Sequence, residues 1–561
     1  MPRFDPQVPC LVRMGLLKAI PLGGSGEIGK NCTVIETDDD MIIVDCGISF
    51  PHEEHHGVDI VIPDFAYILQ NRHKVRGIVI THAHEDHVGA LSFLLPELAV
   101  PIYATPLTEA MIRSKLEERI KMVDVQIESM KPGTKFQLGD ITVEPIRVTH
   151  SIPETCAIAL HTEHGIVLFT ADFKFDAAPV DHITSDVKRL AELGEEGVVL
   201  LLCDSTNVER AGWSPSESEV ESSFREIFQK SEGRVLVTQF SSNIHRMQQI
   251  VNAAKATGRK VSVAGRRMDM TFQMVRNMGY LHVDKGTYIP IEEVSRYTDS
   301  EVAIMVTGSQ GEQMAALSQM SRGEYSRLQV KEGDTIVYSA RPIPGNEAGI
   351  WRTVNNLVRR GAKVITDYHS HIHVSGHGYI DEIKEMLNLT KPFYVAPVHG
   401  EPRHQRLFEE MLLDMGHKSH RIFVMENGDQ LCIDDEKAFL ATPVKWGQKL
   451  IDQHGNKEVS ESVLRERTTL ANEGMVVISL VVDREVGSVL SRPRADVSGF
   501  LGDEGSIEEV LEGLCRSIER LSPAEISHAE TLERTVKEEA KRLIWRKTNQ
   551  KPVIIAIVEA I

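Results

Sequence analysis

Four potential metal ligands lie within six residues of this chain, at His82, His84, Asp86 and His87. The preceding residues 77–80 form a short apolar run, which is typical of a buried strand. Imidazole and carboxylate groups at this density suit neither a turn nor a core. They are the donors that a divalent ion such as zinc binds at roughly 2.0–2.2 Å. The spacing therefore predicts a metal site at a strand end, with a merely histidine-rich polar loop as the alternative.

Three further residues of ligand type each follow an apolar, strand-like run. They are His150 after residues 141–149, Asp172 after residues 165–171 and His399 after residues 392–398. A single histidine or aspartate at a strand end is usually structural, but the strands of one sheet deliver such residues to a common edge. Four placements of this kind give five histidines and two aspartates, enough for two metal ions that share a carboxylate.

The length and the cysteine pattern indicate a multidomain protein of a reducing compartment. The 561 residues predict roughly two to four domains. Seven cysteines are scattered singly, without a CxxC pair, which argues against a disulfide framework or a thiolate zinc site. No apolar run approaches the ~20 residues of a membrane span, and the start shows no signal-peptide pattern. We therefore expect a cytoplasmic protein without a membrane segment.

The formal net charge of −19 excludes a protein that coats nucleic acid, because such proteins carry a basic surface. It does not exclude a nuclease, since an enzyme that threads one strand needs only a local positive lining. Bound metal ions would supply much of that positive field.

The elements that must position the ligands follow a domain pattern. Residues of about 15–205 alternate short β-rich runs with turns and a few helices, ending in the strand-like run 198–204. Residues of about 215–367 alternate strands and amphipathic helices without a metal-type cluster. Ligand chemistry resumes at His373 and His399, so the middle stretch is predicted to be an inserted domain.

A separate small α/β module is expected from about residue 455. It contains strand-like runs at residues 473–482 and 552–558 and a charged amphipathic region over residues 523–547. The charged face of that region is most simply the exposed side of a helix.

Two other motifs are weaker signals. Residues 24–29 match GxGxxG, with Asp45 downstream, but the β-branched, alternating residues 31–37 predict a strand where a dinucleotide site needs a helix. We expect these glycines to form a tight turn beside the metal site. Residues 52–56 form a second His/Glu cluster. No predicted strand orients these side chains, so a solvated loop is the preferred interpretation.

The spacing HxHxDH, followed by a distant His, Asp and His, is similar to the ligand order of the metallo-β-lactamase superfamily. Residues 239–246, 307–312, 342–347 and 373–378 resemble motifs of its β-CASP nucleases, and residues 21–31 and 150–153 resemble ribonuclease J. The likeness runs from about residue 15 to the C-terminus. Glu154 stands where Asp is more usual and Ala171 where Gly is more usual; neither departure removes a ligand.

The resemblance implies an α/β fold, with a metallo-β-lactamase αββα sandwich core, an inserted α/β β-CASP domain and a small α/β C-terminal domain. The expected boundaries are an N-terminal tail at 1–14, the first part of the core at 15–208, the β-CASP domain at 209–372, the second part of the core at 373–454 and the C-terminal domain at 455–561.

The resemblance also implies a ligand set for two divalent ions. One ion would be bound by His82, His84 and His150, and the other by Asp86, His87 and His399, with Asp172 bridging them. Zinc fits these donors, and manganese is the alternative.

Three residues are expected to carry the chemistry. Asp86 would orient or deprotonate the nucleophile. His377 resembles the β-CASP histidine that faces the scissile phosphate, where it would donate a hydrogen bond or protonate the leaving oxygen. Asp204 matches the acidic residue that opens the insertion and would orient a neighbouring group. A structural role is the alternative for His377 and Asp204.

A phosphate pocket is expected in the inserted domain. Its candidate residues, from steps rich in Ser, Gly and His, are Ser242, Asn243, His245, Ser309, His373 and Ser375. In ribonuclease J such residues bind a 5′-monophosphate, so the resemblance implies 5′→3′ exonuclease action with some endonuclease activity on single-stranded RNA, in RNA processing and decay.

Two other functions remain open at this point: a DNA-directed or small-ester hydrolase on the same core, and a catalytically silent scaffold of an RNA-processing assembly. All seven ligand positions are filled, which argues against the scaffold. The resemblance further implies a homodimer or homotetramer and partners in RNA degradation.

Overall fold

The computed structural model describes residues 15–51, 54–119, 125–343, 345–434, 436–452, 457–502 and 504–561. The predicted N-terminal tail, His52 and Glu53 lie outside the described residues. Of the second His/Glu cluster, residues 54–57 form a turn in which Glu54 and His56 are exposed. Within the part of the chain that is described, no helix is both long and apolar enough to cross a membrane.

Two compact units make up the chain: residues 1–49 with 61–449, and residues 50–60 with 450–561. The sequence did not indicate that residues 50–60 belong with the C-terminal unit. The predicted domain boundaries otherwise remain predictions.

Strands dominate the first part of the chain. They are β1 (Leu17–Gly23), β2 (Cys32–Glu36), β3 (Met41–Val44), β4 (Val58–Pro63), β5 (Val75–Val79), β6 (Ile102–Ala104), β7 (Ile127–Ser129), β8 (Phe136–Leu138), β9 (Ile141–Arg147), β10 (Cys156–Thr162), β11 (Gly165–Phe169) and β12 (Val198–Asp204). The helices are α1 (Ala66–Gln70), α2 (Glu85–Val88), α3 (Leu91–Leu94), α4 (Pro106–Arg119) and α5 (Val187–Glu196).

Strands and helices alternate in the middle of the chain, as predicted. They are α6 (Glu219–Lys230), β13 (Val235–Thr238), α7 (Ile244–Ala256), β14 (Lys260–Ala264), α8 (Arg266–Asn277), β15 (Val302–Val306), α9 (Ala316–Arg322), β16 (Thr335–Tyr338), α10 (Glu347–Arg359) and β17 (Lys363–Ile365). Short 3₁₀ turns cover Ile291–Arg296 and Asp299–Glu301.

The last part of the chain returns to the first sheets and then forms the C-terminal unit. Its elements are α11 (Ile380–Thr390), β18 (Tyr394–Val398), α12 (Pro402–Asp414), a 3₁₀ turn (Ser419–Arg421), β19 (Gln430–Ile433), β20 (Ala438–Ala441), β21 (Gln448–Asp452), α13 (Glu461–Glu473), β22 (Met475–Asp483), β23 (Ser488–Val489), β24 (Arg494–Ser498), α14 (Glu504–Ile518), α15 (Pro523–Ser527), α16 (Ala529–Thr548) and β25 (Val553–Ala560).

Two sheets pack face to face in the core of the larger unit. One has the order β20-β19-β1-β2-β3-β5-β6-β7 and the other the order β18-β12-β11-β10-β9-β8. Buried side chains from both sheets, among them Ile42, Val79, Val143 and Leu200, form one apolar cluster between them. A second cluster packs α5, α11 and α12 on the outer face of the six-stranded sheet. This layering is the predicted sandwich.

The middle segment forms a five-stranded parallel sheet with the order β14-β15-β13-β16-β17. Helices α6, α7 and α8 cover one face and α9 and α10 the other, each over its own apolar cluster. Because both faces are covered, the strands read as nearly continuous apolar runs, as their sequences do.

The C-terminal unit is built around β22, whose side chains alternate between buried and partly exposed. β25 pairs with it in parallel, and β24 and β23 pair with it antiparallel on the other side. Helices α14 and α16 bury one face of this sheet. The predicted strands and amphipathic region of this module are therefore confirmed.

Candidate metal centre

Three neighbouring parallel strands bring three of the candidate residues to one edge. β11, β12 and β18 run parallel in adjacent positions of the six-stranded sheet. Asp172, Asp204 and His399 lie at or just beyond their carboxyl ends. Parallel strands present their carboxyl ends at the same edge, which is where open α/β sheets place their sites.

The His82–His87 segment reaches the same place from the other sheet. It follows β5, and its second half forms the short helix α2, with His84 at the position before the first helical residue. His87 N donates to His84 O at 3.0 Å, so Asp86 and His87 are fixed by this turn. The glycine turn after β1 lies against His399, whose N–H donates to Gly24 O. Gly24, Gly26 and Gly29 all have positive φ, and β2 follows them; the expected tight turn is confirmed.

One group of donor atoms consists of His82, His84, His150 and Asp172. His84 Nδ1 lies 3.0 Å from His82 Nε2 and 3.2 Å from His150 Nε2. Asp172 Oδ2 is 3.6 Å from the Nε2 atoms of both His82 and His150. All four side chains are buried or nearly so.

A second group consists of Asp86, His87, His399 and, again, Asp172. His399 Nε2 lies 3.2 Å from Asp86 Oδ2, and His87 Nε2 lies 3.3 Å from Asp172 Oδ2. Each group keeps its donor atoms within 4.8 Å of one another. The groups coincide with the two predicted ligand sets, which meet at Asp172.

The donor atoms fit divalent ions on geometric grounds. Two ligands of a tetrahedral ion bound at 2.0–2.1 Å lie about 3.3 Å apart, close to the spacings above. His399 Nε2 is buried and, among the described residues, makes no hydrogen bond, although Asp86 Oδ2 is close by. A cavity of about 40 Å³ lies beside His87, Asp172 and His399. Donor atoms that converge at these spacings, one of them without a hydrogen bond, are what a cation requires.

The tautomer of His150 is set by the segment that precedes His377. His150 Nδ1 lies 2.8 Å from Gly376 O, which only accepts, so Nδ1 carries the proton and Nε2 keeps its lone pair for the group above. A Cβ at Gly376 would lie 2.6 Å from the His150 ring. Glycine is therefore required at this position for the contact to form.

The ligand histidines fall into two classes according to the direction in which their pKa is shifted. Burial lowers the pKa of His84 to about 4 and holds those of His82 and His150 well below the usual value. These rings are neutral, the form that binds a metal.

In the second group the carboxylates dominate. Burial alone would lower the pKa of His399, but Asp172 and Asp86 outweigh it and raise the pKa to about 10. For the same reasons the pKa of His87 lies well above its usual value. A cation bound there would displace these protons, which couples metal affinity to pH.

Two supporting residues were missed by the sequence interpretation. Asp45 Oδ2 lies 2.7 Å from His87 Nδ1, and the same carboxylate accepts from Thr81 N and Thr81 Oγ1. Asn31 Nδ2 donates to Asp86 O. Carboxylates that hold the far nitrogen of a ligand histidine orient it and raise its basicity. The sequence contained a signal for the role of Asp45, because this residue follows the apolar strand β3 just as Asp172 follows β11.

His377 and Asp204 form a pair beside the second group. His377 Nδ1 lies 2.7 Å from Asp204 Oδ2, and His377 Nε2 lies 3.8 Å from Asp172 Oδ2. Burial alone would lower the pKa of His377, but the charges of Asp204 and Asp172 outweigh it and raise it. Asn207 Nδ2 fixes the loop by donating to Ser375 Oγ and His377 O. The pair thus favours the protonated form of His377 and directs its Nε2 toward Asp172.

The predicted phosphate-pocket residues lie at the edge of the inserted sheet. Ser242, Asn243 and His245 stand where β13 passes into α7, and Asn243 Oδ1 caps that helix by accepting from Arg246 N. Arg246 Nη1 in turn donates to Ile372 O, next to His373.

The other members of the set are placed differently. His245 Nε2 lies 3.6 Å from Asp181 Oδ2. Ser309 is buried after β15, the strand beside β13. Ser375 accepts from Asn207 and from His377 N.

Family models match most of the chain. The matches are "Metallo-beta-lactamase superfamily" over residues 25–191, "Ribonuclease J, beta-CASP domain" over 232–357, "Zn-dependent metallo-hydrolase RNA specificity domain" over 361–424 and "Ribonuclease J C-terminal domain" over 462–561. A solved structure from Enterococcus faecalis V583, described as a protein of unknown function, aligns with a TM-score of 0.53 at 15% identity over 74% of this chain and 100% of that chain. That likeness concerns the fold alone.

Curated relatives match over nearly the whole chain. Ribonuclease J 1 of Streptococcus pyogenes is 39% identical and covers 96% of each chain. Ribonuclease J of Helicobacter pylori is 38% identical over 96% of this chain and 79% of that protein, and ribonuclease J2 of Bacillus subtilis is 37% identical over 97% and 98%. With ligand order, fold and C-terminal module in agreement, this chain belongs to the ribonuclease J family.

Proposed function

We propose that this chain is a two-metal-dependent ribonuclease that hydrolyses RNA phosphodiester bonds. It acts as a 5′→3′ exonuclease with a preference for 5′-monophosphate ends and has endonuclease activity. The observation that carries the proposal is the pair of overlapping donor groups that meet at Asp172, in a chain of the ribonuclease J family. Fold alone would not suffice, because one fold hosts many chemistries.

The ligand roles are part of the proposal: His82, His84 and His150 for one ion, Asp86, His87 and His399 for the other, and Asp172 for both. Zinc suits these donors, with manganese as the alternative. Two ions held there lower the pKa of a water molecule and offset charge on the phosphoryl oxygens.

The chain's own residues then orient and move protons. Asp86 accepts a hydrogen bond from the attacking water and orients it toward phosphorus. Asp45 keeps His87 in place through its 2.7 Å contact with Nδ1. His377, held by Asp204 and positively charged, donates from Nε2 to the leaving oxygen.

The preference for a 5′-monophosphate rests on polar atoms of the inserted domain that lack partners. His373 Nδ1 and both side-chain polar atoms of Gln239 are buried and, within the described residues, make no hydrogen bond. Burial and then the charges of Arg246, Arg341 and Lys174 hold the pKa of His373 well below its usual value. The Gln239 amide NH₂ and a proton on His373 Nδ1 are donors beside cationic side chains, and a terminal phosphate supplies acceptor oxygens for them.

Association as a homodimer or homotetramer, a cytoplasmic location and partners in RNA degradation remain predictions from the family resemblance.

The test compares one RNA with 5′-monophosphate, 5′-triphosphate or 5′-hydroxyl ends and a DNA of equal sequence, with zinc- or manganese-loaded protein. We expect mononucleotides to be released fastest from the 5′-monophosphate RNA. The double variant Asp86→Ala, His87→Ala should be inactive. The exposed pair Asp414→Ala, His420→Ala serves as a matched control and should keep full activity.

Equal cleavage of DNA would move the assignment to a DNA-processing nuclease. Absence of cleavage by metal-loaded protein would favour a scaffold in an RNA-processing assembly.

A further inference from the structure

An apolar cluster joins the metal-ligand loops to the inserted domain. Ala83, Leu107 and Ile152 from the core pack in the same buried cluster as Phe224 and Ile244 of the inserted domain. Ala83 lies between two ligand histidines, and Ile152 lies two residues after a third. Ile244 directly follows Asn243 of the proposed phosphate pocket. The two sites are therefore connected through shared packing.

Glu154 adds a polar contact across this packing. Its Oε1 accepts a hydrogen bond of 2.7 Å from the hydroxyl of Tyr280, and its Oε2 accepts one of 2.9 Å from Leu107 N. Leu107 lies in the first turn of α4, so the carboxylate satisfies a free N–H of that helix and favours its positive end. Tyr280 packs on the same apolar cluster and donates its N–H to Val275 O at the end of α8. One carboxylate thus links α4 and the inserted domain.

The backbone at Glu154 is held in an unusual conformation. Its φ is +63°, in the left-handed region that residues with a Cβ rarely adopt. Such conformations persist where the surroundings fix them and cluster at functional sites.

The turn that carries Glu154 is connected directly to the ligands. Val148 N donates to Thr155 O, which closes the turn that contains His150. Cys156 N donates to Thr81 O at 3.1 Å, next to His82. These two hydrogen bonds tie the turn of Glu154 to the loop of His150 and to the strand end beside His82.

We propose that Glu154 is a positioning residue. Through Tyr280 it sets the position of the phosphate pocket relative to the metal centre. The distance between pocket and metal centre decides whether the first phosphodiester bond lies over the ions when a 5′-phosphate is bound. Glu154 therefore governs the preference for 5′-monophosphate ends rather than the hydrolysis itself. This inference rests on the proposed function.

The test is the variant Tyr280→Phe, which removes one hydroxyl and keeps the packing. We expect the ratio of kcat/KM for 5′-monophosphate over 5′-hydroxyl RNA to fall about tenfold, as for loss of a hydrogen bond to a charged group. Metal content should not change. Glu154→Asp and Glu154→Gln should lower the ratio similarly. The double variant Glu154→Asp, Tyr280→Phe should be no worse than Glu154→Asp alone, because the shorter side chain has already lost the contact that Tyr280→Phe removes.

Tyr288→Phe is the matched control. Tyr288 is half-buried against the same cluster, but its hydroxyl lies 3.5 Å from Asp269 within the inserted domain. This variant should keep the wild-type ratio. An unchanged ratio in Tyr280→Phe, equal losses on both RNAs, or additive losses in the double variant would each overturn the proposal.

Hydrogen exchange supplies a readout that needs no activity. Without the Tyr280 contact, amides of residues 150–156 should exchange faster in Tyr280→Phe than in Tyr288→Phe. Equal exchange in the two variants would reject the positioning role even if the wild-type chain cleaved no RNA. Absence of RNA cleavage by wild type together with faster exchange would reject the proposed nuclease and retain the contact's role in holding the ligand loop.

Discussion

The metal centre and the proposed phosphate pocket both lie at the carboxyl edge of parallel strands, yet their side chains are held differently. In the metal centre another group fixes two of the rings at the far nitrogen: Asp45 holds His87, and Gly376 O holds His150. In the pocket, Gln239 and His373 have buried polar atoms without a partner among the described residues. His399 Nε2 of the metal centre also lacks a partner among the described residues, but His87 and His150 are oriented there before any ligand arrives. In the pocket, neither side-chain polar atom of Gln239 has a described partner that would orient it. Changes in the two sites should therefore have different kinetic signatures.

The largest effect is expected for Asp172→Asn, because both donor groups contain this carboxylate. RNA hydrolysis should fall at least about a thousandfold, and metal retained after dialysis, measured by elemental analysis, should decrease. The exposed Asp140→Asn on the same sheet is the control and should retain both. Full metal content in Asp172→Asn would show that the two groups do not share this ligand.

An intermediate effect is expected for His373→Ala in the pocket. The KM for 5′-monophosphate RNA should rise about tenfold, as for loss of a charge-assisted contact, while kcat and metal content stay constant. Steady-state kinetics on 5′-monophosphate and 5′-hydroxyl RNA measure this, with the exposed neighbour His371→Ala as control. A fall in kcat without a change in KM would place His373 in the metal centre and remove the distinction between the two sites.

The smallest effect is expected on stability, for the carboxylate of Glu144. This residue lies in β9, the strand that leads to His150, and its charge is neutralised by a side chain of the protein itself. Glu144 accepts from Arg189 Nε at 2.7 Å and Nη2 at 3.0 Å. Burial alone would raise the pKa of Glu144, but the hydrogen bonds of Arg189 and His161 outweigh it and lower the pKa to about 2. A lowered folded-state pKa stabilises the protein above the unfolded value of about 4.5 and ceases to do so as pH falls toward 2.

Arg189→Met should therefore lower the free energy of unfolding by about 1 kcal/mol near neutral pH. This decrease should become smaller below pH 4.5. Urea unfolding at a series of pH values, with and without chelator, measures it. Lys188→Met, at an exposed neighbour, is the control. Because Glu144 needs no metal, chelation should leave this difference unchanged. If the difference in stability between variant and wild type changed with chelator, Glu144 would depend on bound metal. The distinction between carboxylates that bind metal and carboxylates that the chain's own cations neutralise would then be wrong.

Much of the fold and the seven candidate ligands followed from residue type and strand ends. Strand β12 matches its predicted run residue for residue, because continuous apolar runs are the local signature of buried parallel strands. The supporting contacts could not be predicted in the same way. Asp45 and His87 are 42 residues apart, and Glu154 and Tyr280 are 126 apart. Contacts over such distances leave no local pattern, and neither does the placement of residues 50–60 with the C-terminal unit.

The pairing of β12 with β18 has a consequence for synthesis of the chain. Asp204 and Val398 are partners in adjacent parallel strands although the whole inserted sheet lies between them in sequence. During translation the second donor group stays incomplete until His399 has left the ribosome and β18 has joined the sheet, a non-local step that comes late in folding. A chain whose synthesis has not yet passed β18 therefore lacks the assembled centre while it is still attached to its own messenger RNA. Because the insertion separates β12 from β18 in sequence, it delays the activity that we propose until β18 has been made.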